Sequence, residues 1–186
     1  MTPSPRLTTL LNAFESCRLA AYWDGTYIDA PANTVKRWSV GWGTTRLSNR
    51  LVSEGDTCTQ QQADAWRDAD IAAHATQVNA ELAPVIASWN ADPHIWQDKF
   101  DALVDFAYNA GDGHLKGSTL LKFVLVNAPL SAAEEFTKWT LAGGKRSNGL
   151  LRRRLAERAL FLSDFRPDGK LKIDKTDFPG TQWYPV

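Results

Sequence analysis

The chain is 186 residues long, with 21 basic and 21 acidic side chains, 44% hydrophobic and 23% charged residues. That length fits one domain, or two small lobes sharing a helix, and the composition is that of a soluble globular fold with a sizeable core. Zero formal charge gives no global field for nucleic acid or a membrane surface, so any polyanion must be met locally. Cys17 and Cys58 lie in no C-x-x-C or Cys/His cluster, and His74, His94 and His114 are far apart in sequence, so free thiols, no metal and no cofactor are expected.

The first residues, MTPSPRLTTLLNAFESC, hold no long apolar run with a basic flank, so neither a signal peptide nor a transmembrane span of ~20 residues is expected. Ser4-Pro5 reads as a helix cap followed by proline at the first helical position. Leu7, Leu10, Leu11 and Phe14 then repeat at helical spacing and predict a helix ending near Arg18 or Leu19, with Glu15 in its last turns. A carboxylate there faces the negative end of the helix dipole and lies beside Phe14, both of which favour a retained proton; the competing reading is a Glu15–Arg18 surface pair.

Asp24 follows in a turn, and Gly25 to Arg37 reads as a loop or irregular hairpin. Arg37 to Gly43 alternates Trp38, Val40 and Trp42 with Ser39 and Gly41, which predicts a short strand. Thr59 to Gln62 is a capping-box pattern opening a helix through Trp66 and Ile71 toward Leu82. From Ile95 a helix with Trp96, Phe100, Leu103, Val104 and Ala107 on one stripe runs to a stop at Asn109-Ala110-Gly111. Leu115 to Asn127 and Ser131 to Leu141 predict two more helices, Gly143-Gly144 a turn. Leu150 to Phe165 predicts a basic amphipathic helix with Arg152, Arg153, Arg154 and Arg158 on a solvated face laced with Glu157 pairs. The tail carries a Pro-Asp-Gly turn and late aromatics.

Eight tryptophans are many for this length. Most are expected to fill the core, but flat rings also cover the apolar faces of sugars, and Tyr22, Trp23 and Trp42 flank the two carboxylates Glu15 and Asp24. Paired carboxylates of different local character are the raw material of acid–base chemistry on a glycosidic bond.

The stretch from Glu15 through Arg18, Leu19 and Tyr22 to Asp24 resembles the E-x-x-R-L-x-x-Y-x-D signature of phage-type lysozymes, the endolysins of glycoside hydrolase family twenty-four. Later blocks are similar to the same family in the same order: Leu103 to Gly111, Ser118 to Leu121, Phe136 to Trp139, Gly143-Gly144-Lys145 and Gly149 to Arg154. The likeness runs from about Leu7 to Leu162.

This resemblance implies an α+β, mainly α-helical, two-lobe lysozyme-like fold: a small N-terminal β-hairpin or sheet, a connecting helix and a helical C-terminal lobe, with a substrate cleft between lobes. Residues 1–165 would form one catalytic domain, with an N-lobe of about 1–60, a connecting helix of about 60–82 and a C-lobe of about 83–165; residues 166–186 form a tail to which no role is assigned. The implied activity is hydrolysis of the β-1,4 bond between N-acetylmuramic acid and N-acetylglucosamine in bacterial peptidoglycan, causing host cell lysis. Glu15 maps onto the general acid and Asp24 onto the carboxylate that activates water, with inversion at the anomeric carbon. Ser39 maps onto the third catalytic position, where the family carries threonine, with Thr44 as the alternative for that position. Thr44 stands where histidine is common, and the interval from Asp24 to Ser39 is longer than usual, with Thr26, Asp29 and Thr34 inside it. Asp29 is the alternative second carboxylate; Asp24 is favoured by its spacing from Glu15 and by Tyr22.

Substrate contacts are expected from Tyr22, Trp42 and Asn109, although Asn109 also reads as a helix cap. Expected partners are glycan strands and, functionally, a holin-like membrane permeabiliser; a monomer without nucleic-acid or stable membrane association is expected. Synthesis in the host cytoplasm and action on the wall after release follow. The alternatives are a lytic transglycosylase cleaving the same bond, and a wall-binding protein that keeps the fold without catalysis.

Overall fold

The computed structural model of the chain describes residues 1–28, 31–87 and 93–184, with the backbone alone at 94 and 95. Helices dominate, with three two-stranded antiparallel sheets among the described residues, as the α+β expectation requires. No described helix is long and apolar enough to cross a membrane. The chain divides into two compact units, residues 15–70 and residues 1–14 with 71–186, and the division falls inside one helix, α2 (Gln60–Glu81).

The smaller unit is built on a hairpin of β1 (Arg18–Tyr27) and β2 (Lys36–Gly41). Their register pairs Arg18 with Gly41, Tyr22 with Ser39, Trp23 with Trp38 and Tyr27 with Lys36, with irregularities between Arg18 and Tyr22 and between Trp23 and Tyr27. On its other edge β1 meets residues 56–58, where Ala21 N–H donates to Asp56 O and the Cys58 N–H to Leu19 O, each at 2.8 Å. This corrects three boundaries. Helix α1 (Pro5–Phe14) stops before Glu15 instead of carrying it in its last turns, because from Arg18 onward strand partners claim the backbone. Asp24 is within a strand, not a turn, and the strands extend into the segment expected to be a loop, to Tyr27 and from Lys36.

Beyond β2 the chain reverses tightly: Val40 and Thr44 exchange both backbone hydrogen bonds at 2.9 Å, with Gly41 and Gly43 at φ of 65° and 105°. The strand therefore ends at Gly41, before the expected Gly43. Two short strands, β3 (Arg46–Leu47) and β4 (Arg50–Leu51), follow. Arg50 grips Asp56 through two hydrogen bonds of 2.6 and 2.8 Å, holding that carboxyl down at a pKa of about 2 with help from the Ser53 N–H. Helix α2 opens on the expected capping box, Thr59 Oγ1 accepting from Gln62 N–H at 3.1 Å and Gln62 Oε1 from Thr59 N–H at 2.9 Å. Cys17 and Cys58 are free and half-buried.

In the larger unit, α1 packs with α3 (Pro93–Ala110), α4 (Asp112–Gly117), α5 (Thr119–Leu125), α6 (Pro129–Phe136) and α7 (Asn148–Phe161) around one core including Leu7, Leu10, Leu11, Phe100, Phe106, Phe136 and Phe161. Each such side chain contributes ~1.5–3 kcal/mol on burial. Arg6 locks α1 to α3 through both oxygens of Asp98 at 2.7 Å. Gly111, at φ 101°, ends α3 where the Asn109-Ala110-Gly111 stop predicts. The single helix expected over Leu115 to Asn127 is two, because Ser118 turns extended and its hydroxyl caps Leu121 N–H at 2.9 Å. The next helix ends at Phe136, and Gly143-Gly144 forms the turn of a hairpin of β5 (Leu141–Ala142) and β6 (Lys145–Arg146).

Helix α7 keeps the expected Glu157 pairs but overturns the solvated-face reading for Arg153, Arg154 and Glu157, while Arg152 and Arg158 stay half-buried. Arg153, Arg154 and Glu157 are 3%, 1% and 0% exposed. Arg153 binds both oxygens of Asp105 at 2.8 and 2.9 Å, and Arg154 lies 2.7 Å from Glu157. Burial pushes the Glu157 carboxyl far up and the neighbouring Asp105 charge adds to it, against the opposing pull of Arg154. Asp105 is held low: burial would raise it, but Arg153 and the Glu157 hydrogen bond outweigh that. The tail is tied down as well. Arg166 binds Asp174 and Asp177, and the Tyr184 hydroxyl meets Thr140 Oγ1 at 3.1 Å and accepts from Arg146 at 2.8 Å.

Candidate active site

In the smaller unit the hairpin brings Tyr22, Asp24 and Ser39 together. Ser39 is 2% exposed, and its hydroxyl donates to Asp24 Oδ2 at 3.3 Å. The other oxygen of Asp24 accepts twice from Thr26, from the backbone N–H at 2.9 Å and from the hydroxyl at 2.6 Å. The carboxylate is thus fixed at Oδ1 by Thr26 of its own strand and touched at Oδ2 by one hydroxyl from the neighbouring strand. Thr26 is not singled out by the sequence as a partner of Asp24; the strand geometry after Asp24 brings its N–H and hydroxyl to the carboxylate.

Tyr22 stands opposite Ser39 in the ladder, with the Arg18 guanidinium stacked 4.6 Å from its ring centroid. Burial raises its phenol most; the Arg18 charge and a hydrogen bond with the Ser39 side chain pull it down, while the charges of Glu15 and Asp24 raise it. The charges of Glu15, Asp24 and Arg18 and the Ser39 hydroxyl therefore all bear on one phenol. Glu15 is half-buried, one residue beyond the end of α1.

The remaining site expectations fall elsewhere. Trp42 leans on α2, its indole N–H donating to Asp64 Oδ1 at 2.7 Å and the Arg67 guanidinium 5.2 Å from its ring. Trp23 is on the hairpin face opposite Tyr22 and Ser39, paired with Trp38. Thr44 is engaged through its backbone with Val40. Asp29 lies outside the described residues. In the larger unit, Asn109 Oδ1 accepts from Arg154 at 2.6 Å, at a cavity of about 410 Å³ also lined by His114, Lys138, Trp139 and Leu150. No group of three or more potential metal ligands occurs among the described residues. His74 instead contacts Asp112 at 2.8 Å and His114 contacts the Ala110 carbonyl at 2.5 Å.

A family model described as phage lysozyme matches residues 12–157 of the chain. The endolysin of Bacillus phage B103 is 48% identical over 88 residues, covering 45% of this chain and 34% of that protein. The endolysin of Acyrthosiphon pisum secondary endosymbiont phage 1 is 34% identical over 158 residues, covering 83% of this chain and 93% of that protein. The chain thus spans about a third of the B103 relative's length and nearly all of the symbiont-phage relative's. Among solved structures, the endolysin from Escherichia coli O157:H7 phage FAHEc1 superposes with a TM-score of 0.70 at 27% identity, covering 90% of this chain and 97% of that one.

Proposed function

The chain belongs to the phage lysozyme family, and from that premise we propose that it is a lysozyme-type hydrolase, an endolysin that cuts the β-1,4 bond between N-acetylmuramic acid and N-acetylglucosamine in peptidoglycan. The observation that carries this reading is the clamp on Asp24, whose Oδ1 is saturated by Thr26 while Oδ2 meets the buried Ser39 hydroxyl. Such a carboxylate is pre-organised to receive a proton from water at one defined oxygen.

Glu15 gives its proton to the leaving glycosidic oxygen as the bond to the anomeric carbon breaks. A water oriented by Ser39 attacks that carbon from the opposite face and passes its proton to Asp24 Oδ2. The product is inverted, a course that needs ~6.5–9.5 Å between the carboxyl groups. Tyr22, with one ring face under Arg18 and paired across the ladder with Ser39, stands beside Asp24 as a substrate contact. Asn109, its carbonyl oxygen taken by Arg154, presents its amide N–H groups to an acetamido or peptide carbonyl. Trp42 contributes as a ring anchored by Asp64.

Residues 1–165 form the catalytic domain in this reading. The enzyme works as a monomer, and a separate membrane permeabiliser gives it access to the wall. The test is Glu15→Gln: clearing of a peptidoglycan suspension is lost while the thermal melt is unchanged, and full clearing by that variant overturns the assignment. Product mass serves as a second check, since a transglycosylase product is lighter by one water.

A further inference from the structure

The β1–β2 hairpin has two chemically different faces, because side chains alternate across a strand. Tyr22 and Ser39 face one another on the side that holds Asp24. The opposite side carries Trp23 paired with Trp38 and Tyr27 paired with Lys36. Contacts join these pairs: the Trp23 and Tyr27 rings meet edge to face at 5.6 Å, and Lys36 Nζ lies 5.1 Å from the Trp23 ring centroid.

This face is wet. Trp23 is 42% exposed, Lys36 is exposed, and Tyr27 and Trp38 are half-buried. Cross-strand pairing alone stabilises a hairpin by ~0.2–1 kcal/mol per pair and requires no indole left in water. The Trp23 ring is also fixed, its N–H donating to the Thr26 carbonyl at 2.9 Å, so a ligand meets a platform that has already lost its rotamer freedom.

We propose that this back face is a second, non-catalytic saccharide site, which holds a neighbouring peptidoglycan strand with a pyranose ring on Trp23 and a stem-peptide carboxylate on Lys36. The inference rests on the wall-hydrolase reading, because it is that polymer which offers sugar rings and carboxylates together on strands lying side by side. Charge complementarity selects the occupant: the exposed cation beside the indole suits an acidic wall peptide. A hairpin that cuts one strand with its front face and holds the next with its back raises the effective concentration of cleavable bonds, and this gain operates on an intact wall but not on a short soluble glycan.

The experiment compares Trp23→Ala/Lys36→Glu with the parent, first in a Glu15→Gln background that binds without cutting. Co-sedimentation with purified sacculi should weaken by roughly ten-fold, the scale expected of an aromatic anchor. In the background that retains Glu15, Lys36→Glu alone should leave hydrolysis of a short soluble wall glycan within about two-fold of the parent, because Lys36 is exposed on the hairpin face away from Asp24. Trp23→Phe/Lys36→Arg should restore sedimentation. If the double variant also loses short-glycan hydrolysis, Lys36→Glu alone, at an exposed position, decides the matter by its sacculus binding. Unchanged sacculus binding overturns the proposal, and so does a loss confined to phosphatidylglycerol vesicles, which would make the face a lipid contact. Clearing by Glu15→Gln itself refutes the functional reading and leaves the sedimentation result standing.

Discussion

The Ser39 hydroxyl reaches Asp24 Oδ2 from the facing strand at 3.3 Å, and no exposed loop mediates the contact. In the proposed mechanism, the third catalytic position is therefore held by sheet register. Ser39→Ala should lower kcat by about ten-fold with little change in KM, because it removes an orienting hydroxyl and no binding surface. Ser39→Thr, which keeps the hydroxyl, should recover most of the rate; recovery by Ala alone would contradict the role.

Thr26 holds the other oxygen of Asp24 twice. Thr26→Ala retains the backbone bond and loses the side-chain one, so kcat should fall several-fold while Thr26→Ser stays near the parent. Asp24→Asn should lose at least ~100-fold, the usual scale for an acid–base group. If Asp29→Asn were the inactive variant and Asp24→Asn active, the base would be misplaced.

Glu157 sets a pH dependence with a definite sign. Its folded pKa is raised, so the folded state binds the extra proton, and the stability this group contributes is present below its unfolded value of ~4.3 and declines as pH rises from there toward the folded pKa. Glu157→Gln keeps a donor for Asp105 and removes the titration. The melting temperature of the variant relative to the parent should climb between pH 4 and 7, followed by calorimetry across that range. Glu157→Ala should instead cost about 3–5 kcal/mol, since it strips partners from buried Arg154 and Asp105.

Gly41 answers two constraints at once. Its φ is 65°, and a Cβ there would stand 3.0 Å from Ala63 Cβ on α2. Gly41→Ala should destabilise by about 1–3 kcal/mol, read from denaturant midpoints, and should also slow catalysis because Ser39 lies two residues back.

What could be read from the sequence was what is decided locally. The Thr59–Gln62 box and the Gly111 stop depend on neighbours within a few residues, and both stand where expected. The end of α1 could not be read that way. Residues after Phe14 suit a helix by pattern, but backbone bonds from Asp56 and Cys58, some forty positions on, draw them into a sheet. Helix α7 misled for a related reason: four arginines and a glutamate at helical spacing look like a solvated face, and only Asp105 and Asn109 on α3 show why Arg153 and Arg154 are buried. The Glu15 and Asp24 spacing was legible, whereas the Thr26 clamp needed the strand geometry around it.

The packing of α1 has a consequence for how the protein is made. Leu7, Leu10 and Leu11 share a core with Leu160 and Phe161, and Ala13 O accepts from Arg152 at 3.4 Å. The surfaces that cover α1 lie far along the chain, on α3 roughly eighty to a hundred residues on and on α7 beyond it, whereas the hairpin of residues 18–41 meets its strand partners within about forty residues. The apolar stripe of α1 therefore stays uncovered during synthesis until α3 and then α7 have emerged, and a nascent chain cut short before α3 carries the hairpin without the helical core that α1 joins.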